Sequence, residues 1–161
     1  METKELTKKL LSKNLNWRIE AAQEVIKHSH LAEKITPLSK YLPILKENLS
    51  LGTFSGHPHK DQVLIDFSLE VIEFYNSDYK CHCELYTKEF PLTNDYIVRK
   101  HTYSYFDPEK ELQKGVIHIE SKVRLSSGHI DHYLVKCSNC KNTFIVKEGG
   151  QYSIYWKWTL L

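Results

Sequence analysis

The chain's four cysteines come as two tight pairs, Cys81-His82-Cys83 and Cys137-Ser138-Asn139-Cys140, with 53 residues between them. Few features restrict a fold as much, because two distant segments must meet if the pairs act together. Zinc takes four soft ligands in a tetrahedron, and paired cysteines on two loops supply them from opposite sides. Tyr133–Val135 leads into the second pair and Asn142–Glu148 leads out as a strand, so Cys137 and Cys140 stand at a turn, with Asn139 suited to the tight bend. Lys136 and Lys141 flank them and offset part of the charge of four thiolates. On a regular strand Cys81 and Cys83 share a face while His82 points away, and both reach one metal when the strand end curls. The expected site is therefore one structural zinc per chain, held by Cys81, Cys83, Cys137 and Cys140, with no coordination position open to a catalytic water. Two alternatives stand beside it. In one, His82 or another histidine replaces a cysteine; in the other, the thiols stay unmetallated or form disulfides, which calls for a secreted context. Redox chemistry at the C-x-x-C wants a helix N-terminus after it, and the following strand argues against that use.

The hydrophobic pattern changes near Asn76. Before it, apolar residues recur at helical spacing; after it, β-branched and aromatic residues alternate. The first half predicts helices over Glu2–Ser12 (Leu6, Leu10, Leu11), Asn16–His28 (Trp17, Ala21, Val25, Ile26; N-cap Asn14 or Asn16), Pro37–Asn48 and Asp61–Tyr75. Pro43 kinks the third or delays its start. A loop spans 49–61. The second half predicts strands over Asp78–Tyr86, Tyr96–Ser104, Gly115–Leu125, Asp131–Cys137, Asn142–Glu148 and Tyr152–Leu160. Ser126–His129 and Glu148–Gly150 read as hairpin turns, and Phe106–Gly115 as a polar excursion with a turn of helix. Ile117, Ile119, Val123 and Leu125 share one face of their strand; Tyr152, Ile154, Trp156 and Trp158 share one face of the last. Loops this short make the sheet antiparallel. The fold class is α+β: a helical unit over 1–76 packed on a β unit over 77–161, the two behaving as one compact body.

The K-C-S-N-C-K stretch between strands resembles the knuckle of a zinc ribbon. The C-x-C pair departs from that pattern by one residue, and the long insertion between the pairs implies extra strands. In the helical half, Ile19–Ile26 aligns with Ile65–Ile72 at an offset of 46 residues. Arg18, Ala21, Ala22 and Val25 stand at the R-x-x-A-A-x-x-V positions of a HEAT repeat's second helix, so residues 2–75 resemble a short HEAT-like array. The second copy lacks the arginine.

At 161 residues and a formal charge of +2, nothing global points to nucleic acid or a membrane. No run of about 18 apolar residues is present, which excludes a membrane-spanning helix. The charged N-terminal stretch lacks a signal-peptide core, and the expected location is cytoplasmic. No phosphate loop, nucleotide fingerprint, nucleophile elbow or H-E-x-x-H appears. The leading expectation is thus a non-catalytic, zinc-stabilised protein-binding module. Its most concrete form is a bacterial immunity or antitoxin-type protein that occludes a basic toxin through the acidic residues Glu70, Glu73, Asp78, Glu84 and Glu89. Trp156 and Trp158, with Tyr155 and Lys157, offer either core or a stacking platform, the latter giving a nucleic-acid-binding alternative. A metal-dependent hydrolase using His129, Asp131 and His132 is the third reading. The other histidine pairs, His28/His30 and His57/His59, read as surface residues.

Overall fold

The computed structural model describes residues 2–48, 53–54, 57–58, 60–87, 106–149 and 155–161. The chain divides into two compact units, Met1–His82 and Cys83–Leu161, against an expected boundary after Asn76.

The first unit is helical. Helix α1 spans Thr3–Leu10 and buries Leu6 and Leu10; α2 spans Leu15–Lys27 and packs on it. Of the two candidate caps, Asn14 takes the role: its side-chain oxygen accepts from the Trp17 amide at 3.3 Å. The α2 stripe Ala21, Ala22, Val25 and Ile26 is fully buried, while Trp17, expected on that stripe, stands 47% exposed in the first turn. The third predicted helix, Pro37–Asn48, is two short pieces, a 3-10 segment (Thr36–Tyr41) and α4 (Leu42–Asn48), and a further short helix, α3 (Ala32–Ile35), precedes them. Pro37 and Pro43 each fall at the second position of the piece they open, where a missing N–H leaves no helical bond unmade. Within the predicted loop, Thr53–Phe54 (β1) pairs antiparallel with His57–Pro58 (β2). Helix α5, Lys60–Tyr75, packs against α2 and buries Leu64, Ile65, Phe67, Val71, Ile72 and Phe74. Ser68 is also buried and donates to the Ile65 carbonyl at 2.7 Å. At the end of α5 the Tyr75 hydroxyl donates to the Ser29 carbonyl, tying α5 to the turn after α2. The two sequence-similar strings thus lie on helices that pack together.

The second unit is a sheet with short helical pieces. Strands β3 (Ile117–Arg124), β4 (Ile130–Cys137), β5 (Thr143–Gly149) and β6 (Tyr155–Leu160) form an antiparallel meander in that order. The Ser126–His129 turn closes β3 to β4, with Gly128 at φ 85°, a conformation glycine adopts without strain. Helix α6, Pro108–Gln113, packs on β3 and starts at Asp107, whose carboxylate accepts from the Glu109 amide. The predicted strand Tyr96–Ser104 and residues Tyr152–Ile154 lie outside the described residues.

Two expectations for this unit are corrected. Asp78–Tyr86 is no strand: His82–Thr87 is a 3-10 helix. The alternation Tyr79-Cys81-Cys83-Leu85 imitates a strand, but Leu85 and Tyr86 are both buried, which a flat strand with one buried face cannot arrange. Likewise Val123 and Leu125 do not share the inward face with Ile117; they are 42% and 53% exposed. Ile119 pairs with Val135 and Ser121 with Leu134, so Glu120 is an extra residue and β3 bulges there. One extra residue turns every later side chain to the opposite face. Lys122 now opposes Tyr133 on the inner side, its ammonium 5.7 Å from the ring centroid.

The core of the sheet unit is aromatic. Trp158, 5% exposed, lies tilted against Tyr86 with ring centroids 4.4 Å apart and meets Phe144 edge-on at 5.8 Å. Its indole N–H donates to the Phe106 carbonyl at 3.0 Å. Glu111, though acidic, is 1% exposed; one carboxylate oxygen accepts from the Tyr86 hydroxyl and the other from Lys114, both at 2.6 Å.

Candidate metal centre

The second cysteine pair is placed by the β4–β5 connection. Cys137 ends β4 with its side chain on the inner face, in line with Tyr133 and Val135. Its amide donates to the Asn142 carbonyl at 2.8 Å and its carbonyl accepts from the Lys141 amide at 3.2 Å, closing the knuckle. Asn139 lies within the turn, as its residue type suggests, and the left-handed residue that lets the chain return is Lys141, at φ 66°. The Lys141 ammonium reaches back to the Ser138 carbonyl, and the Ser138 amide donates to Val116. Cys140 is thereby lifted to the exposed tip of the turn.

The first pair is placed by the start of the 3-10 helix. Cys81 immediately precedes it and Cys83 lies in its first turn, so the chain curls where a strand would have run straight. That curl offsets the missing residue of the C-x-C spacing, because both sulfurs now turn toward one point.

The four sulfurs of Cys81, Cys83, Cys137 and Cys140 all lie within 4.8 Å of one another. A tetrahedral ion with bonds of about 2.3 Å needs sulfur–sulfur edges of roughly 3.8 Å, so the cluster has the size of one coordination sphere. Cys83 and Cys140 sulfurs are 3.3 Å apart, well beyond a disulfide bond of about 2.05 Å. Cys81, Cys83 and Cys137 are at most 2% exposed. Burying thiolates in a small unit is costly unless a cation accompanies them. The arrangement can hold one metal ion, and all four donors come from the chain. His82 Nδ1 lies 3.9 Å from the Cys81 sulfur, beside the cluster. Among the described residues, these cysteines are the group of His, Cys, Asp and Glu side chains gathered closely enough to bind a metal.

The other expected site residues are dispersed or already engaged. Asp131 accepts from the His132 ring at 2.7 Å and lies 3.7 Å from the Lys147 ammonium. The His132 hydrogen bond, with Lys147 adding to it, holds the Asp131 carboxyl below its usual range. His129, Asp131, Tyr133, Arg124, Glu148 and Trp156 line a shallow pocket of about 280 Å³, but no cluster of metal-binding size forms there among the described residues. Trp158 is core and offers no open ring face. Trp156 is half-buried and meets Tyr133 edge-on at 5.8 Å. Of the acidic residues, Glu73 bonds Lys46 at 2.9 Å, Asp78 is exposed, Glu70 and Glu84 are half-buried, and Glu89 lies outside the described residues. Buried Glu111 escaped the sequence reading; only its place at the end of a D-P-E-K-E helix start could have pointed to it.

No family model, no curated protein and no solved structure matches this chain. The likeness to zinc-ribbon knuckles therefore stays with the cysteine motif, and the likeness to HEAT repeats with the two helical strings. No described helix is long and apolar enough to cross a membrane.

Proposed function

We propose that the protein is a zinc-stabilised, non-catalytic binding module. The convergence of four cysteine sulfurs from two distant segments carries this reading. Zinc suits it best: an all-thiolate tetrahedron is its usual structural environment, and a ligand sphere completed by protein leaves no position for substrate or activated water. Bound there, zinc would neutralise buried thiolates and tie the 3-10 helix at Cys83 to the β4–β5 knuckle. Elemental analysis of the purified chain should find about one zinc per chain. Cys140→Ser should lower both its zinc content and the stability of the sheet unit. A folded chain with no metal and four titratable thiols would overturn the proposal.

For the partner, a protein is the preferred class, with a basic toxin neutralised by this chain as the concrete case. The support is local: Asp78 is exposed just beyond α5, and Glu73, in the last turn of α5, stays exposed while it bonds Lys46. A toxin encoded beside this chain should co-purify with it and bind at least tenfold more weakly to the Glu73→Lys/Asp78→Lys double variant. Unchanged affinity would remove this surface from consideration. The nucleic-acid alternative has lost Trp158 to the core, and retains Trp156 and Lys157.

A further inference from the structure

We infer that Cys83 and Cys140 form a peroxide-sensitive dithiol, so that the cysteine cluster is also a site of reversible covalent modification. The consequence for metal content rests on the zinc reading above; the bond itself does not. Three of the four thiols are sealed at 0–2% exposure, whereas Cys140 sits exposed at the tip of the β4–β5 turn. A hydroperoxide diffusing from solvent therefore meets Cys140 first. The Cys83 sulfur lies 3.3 Å behind it, completely buried. This is the arrangement of an attacked thiol with a resolving thiol in waiting.

The chemistry closes without further reactants. With hydrogen peroxide, Cys140 Sγ takes one oxygen as the O–O bond breaks, and one water leaves. Cys83 Sγ then attacks the same sulfur; the S–S bond forms, the S–O bond breaks and a second water leaves. Two thiols give up two electrons and two protons, and one peroxide becomes two waters. The sulfurs need to close by about 1.2 Å to reach a disulfide of about 2.05 Å, a side-chain adjustment. Because the resolving thiol is adjacent, sulfenic acid is consumed before it advances to the irreversible sulfinic state. Cys81 and Cys137 alone are too few donors for a structural zinc, so the bond discharges the metal, and a dithiol reductant restores the site.

The test uses the full chain as purified. It is treated with one to a few equivalents of hydrogen peroxide, the remaining thiols are blocked with N-ethylmaleimide, and the tryptic peptides 81–88 and 137–141 are sequenced by tandem mass spectrometry. The expected product links these peptides through Cys83 and Cys140, leaves Cys81 and Cys137 alkylated, and releases about one metal per bridge to a chromogenic chelator. Cys81→Ala should keep the bridge, and Cys83→Ala should convert Cys140 to its sulfinic acid instead. A bridge within 137–141, a bridge through Cys81, or wild-type Cys140 over-oxidised without any bridge would overturn the inference. If the purified chain holds no metal, the zinc reading fails, yet the mapped bond still decides this one.

Discussion

Glu111 shows how far a residue's surroundings can depart from its chemical type. A carboxylate in P-E-K-E-L-Q reads as solvated surface, yet both its oxygens are bonded and it is sealed inside the sheet unit. Removing one partner from such a set leaves the Tyr86 hydroxyl buried without its acceptor. Glu111→Ala should therefore destabilise the protein by about 1–3 kcal/mol in urea titration, although sequence polarity suggests a neutral change. Tyr133 offers a pH readout. Burial, with Glu109 adding to it, pushes its phenol up to about 12. The folded chain thus binds this proton more tightly than the unfolded one. That contribution is complete below an unfolded value of about 10 and is lost as pH rises through about 12. Between these limits the wild type should lose stability more steeply than Tyr133→Phe; parallel curves would contradict the assignment.

At the level of elements, periodicity revealed most of the helices and strands because their buried faces repeat at 3.6 or 2 residues. It failed where geometry changes inside an element. The β3 bulge at Glu120 has no signature in I-H-I-E-S-K-V-R-L, since the extra residue is an ordinary glutamate and alternation continues through it. Only the partner strand fixes the slip. The consequence is testable along a single strand: Ile117→Ala should cost about 2–5 kcal/mol, while Val123→Thr and Leu125→Gln stay within about 0.5 kcal/mol. Equal losses at all three positions would mean an unbroken inward face. The 3-10 helix at His82–Thr87 escaped for a related reason, since four residues of apparent alternation suit a strand and a tight helix alike. Its curl brings Cys81 and Cys83 to the cluster despite their short spacing.

On the scale of the whole molecule, the cysteine site was the most legible feature and function the least. Thiol pairs announce themselves by residue type, and their meeting needs only that two turns converge. A binding surface has no such mark: Trp158 proved to be core, and Glu73 is held by Lys46. A metal held by residues that converge only in the folded chain adds its binding free energy to folding, so on the proposed zinc reading a strong chelator under mild denaturant should collapse the near-ultraviolet signal of the Tyr86–Trp158 core, and added zinc should restore it. X-ray absorption at the zinc edge of the purified protein tests the centre most directly. The expected result is four sulfur scatterers at about 2.3 Å with no nitrogen or oxygen in the first shell. A nitrogen scatterer would put a histidine such as His82 in place of a cysteine, and the absence of bound zinc would contradict the metal-stabilised reading altogether.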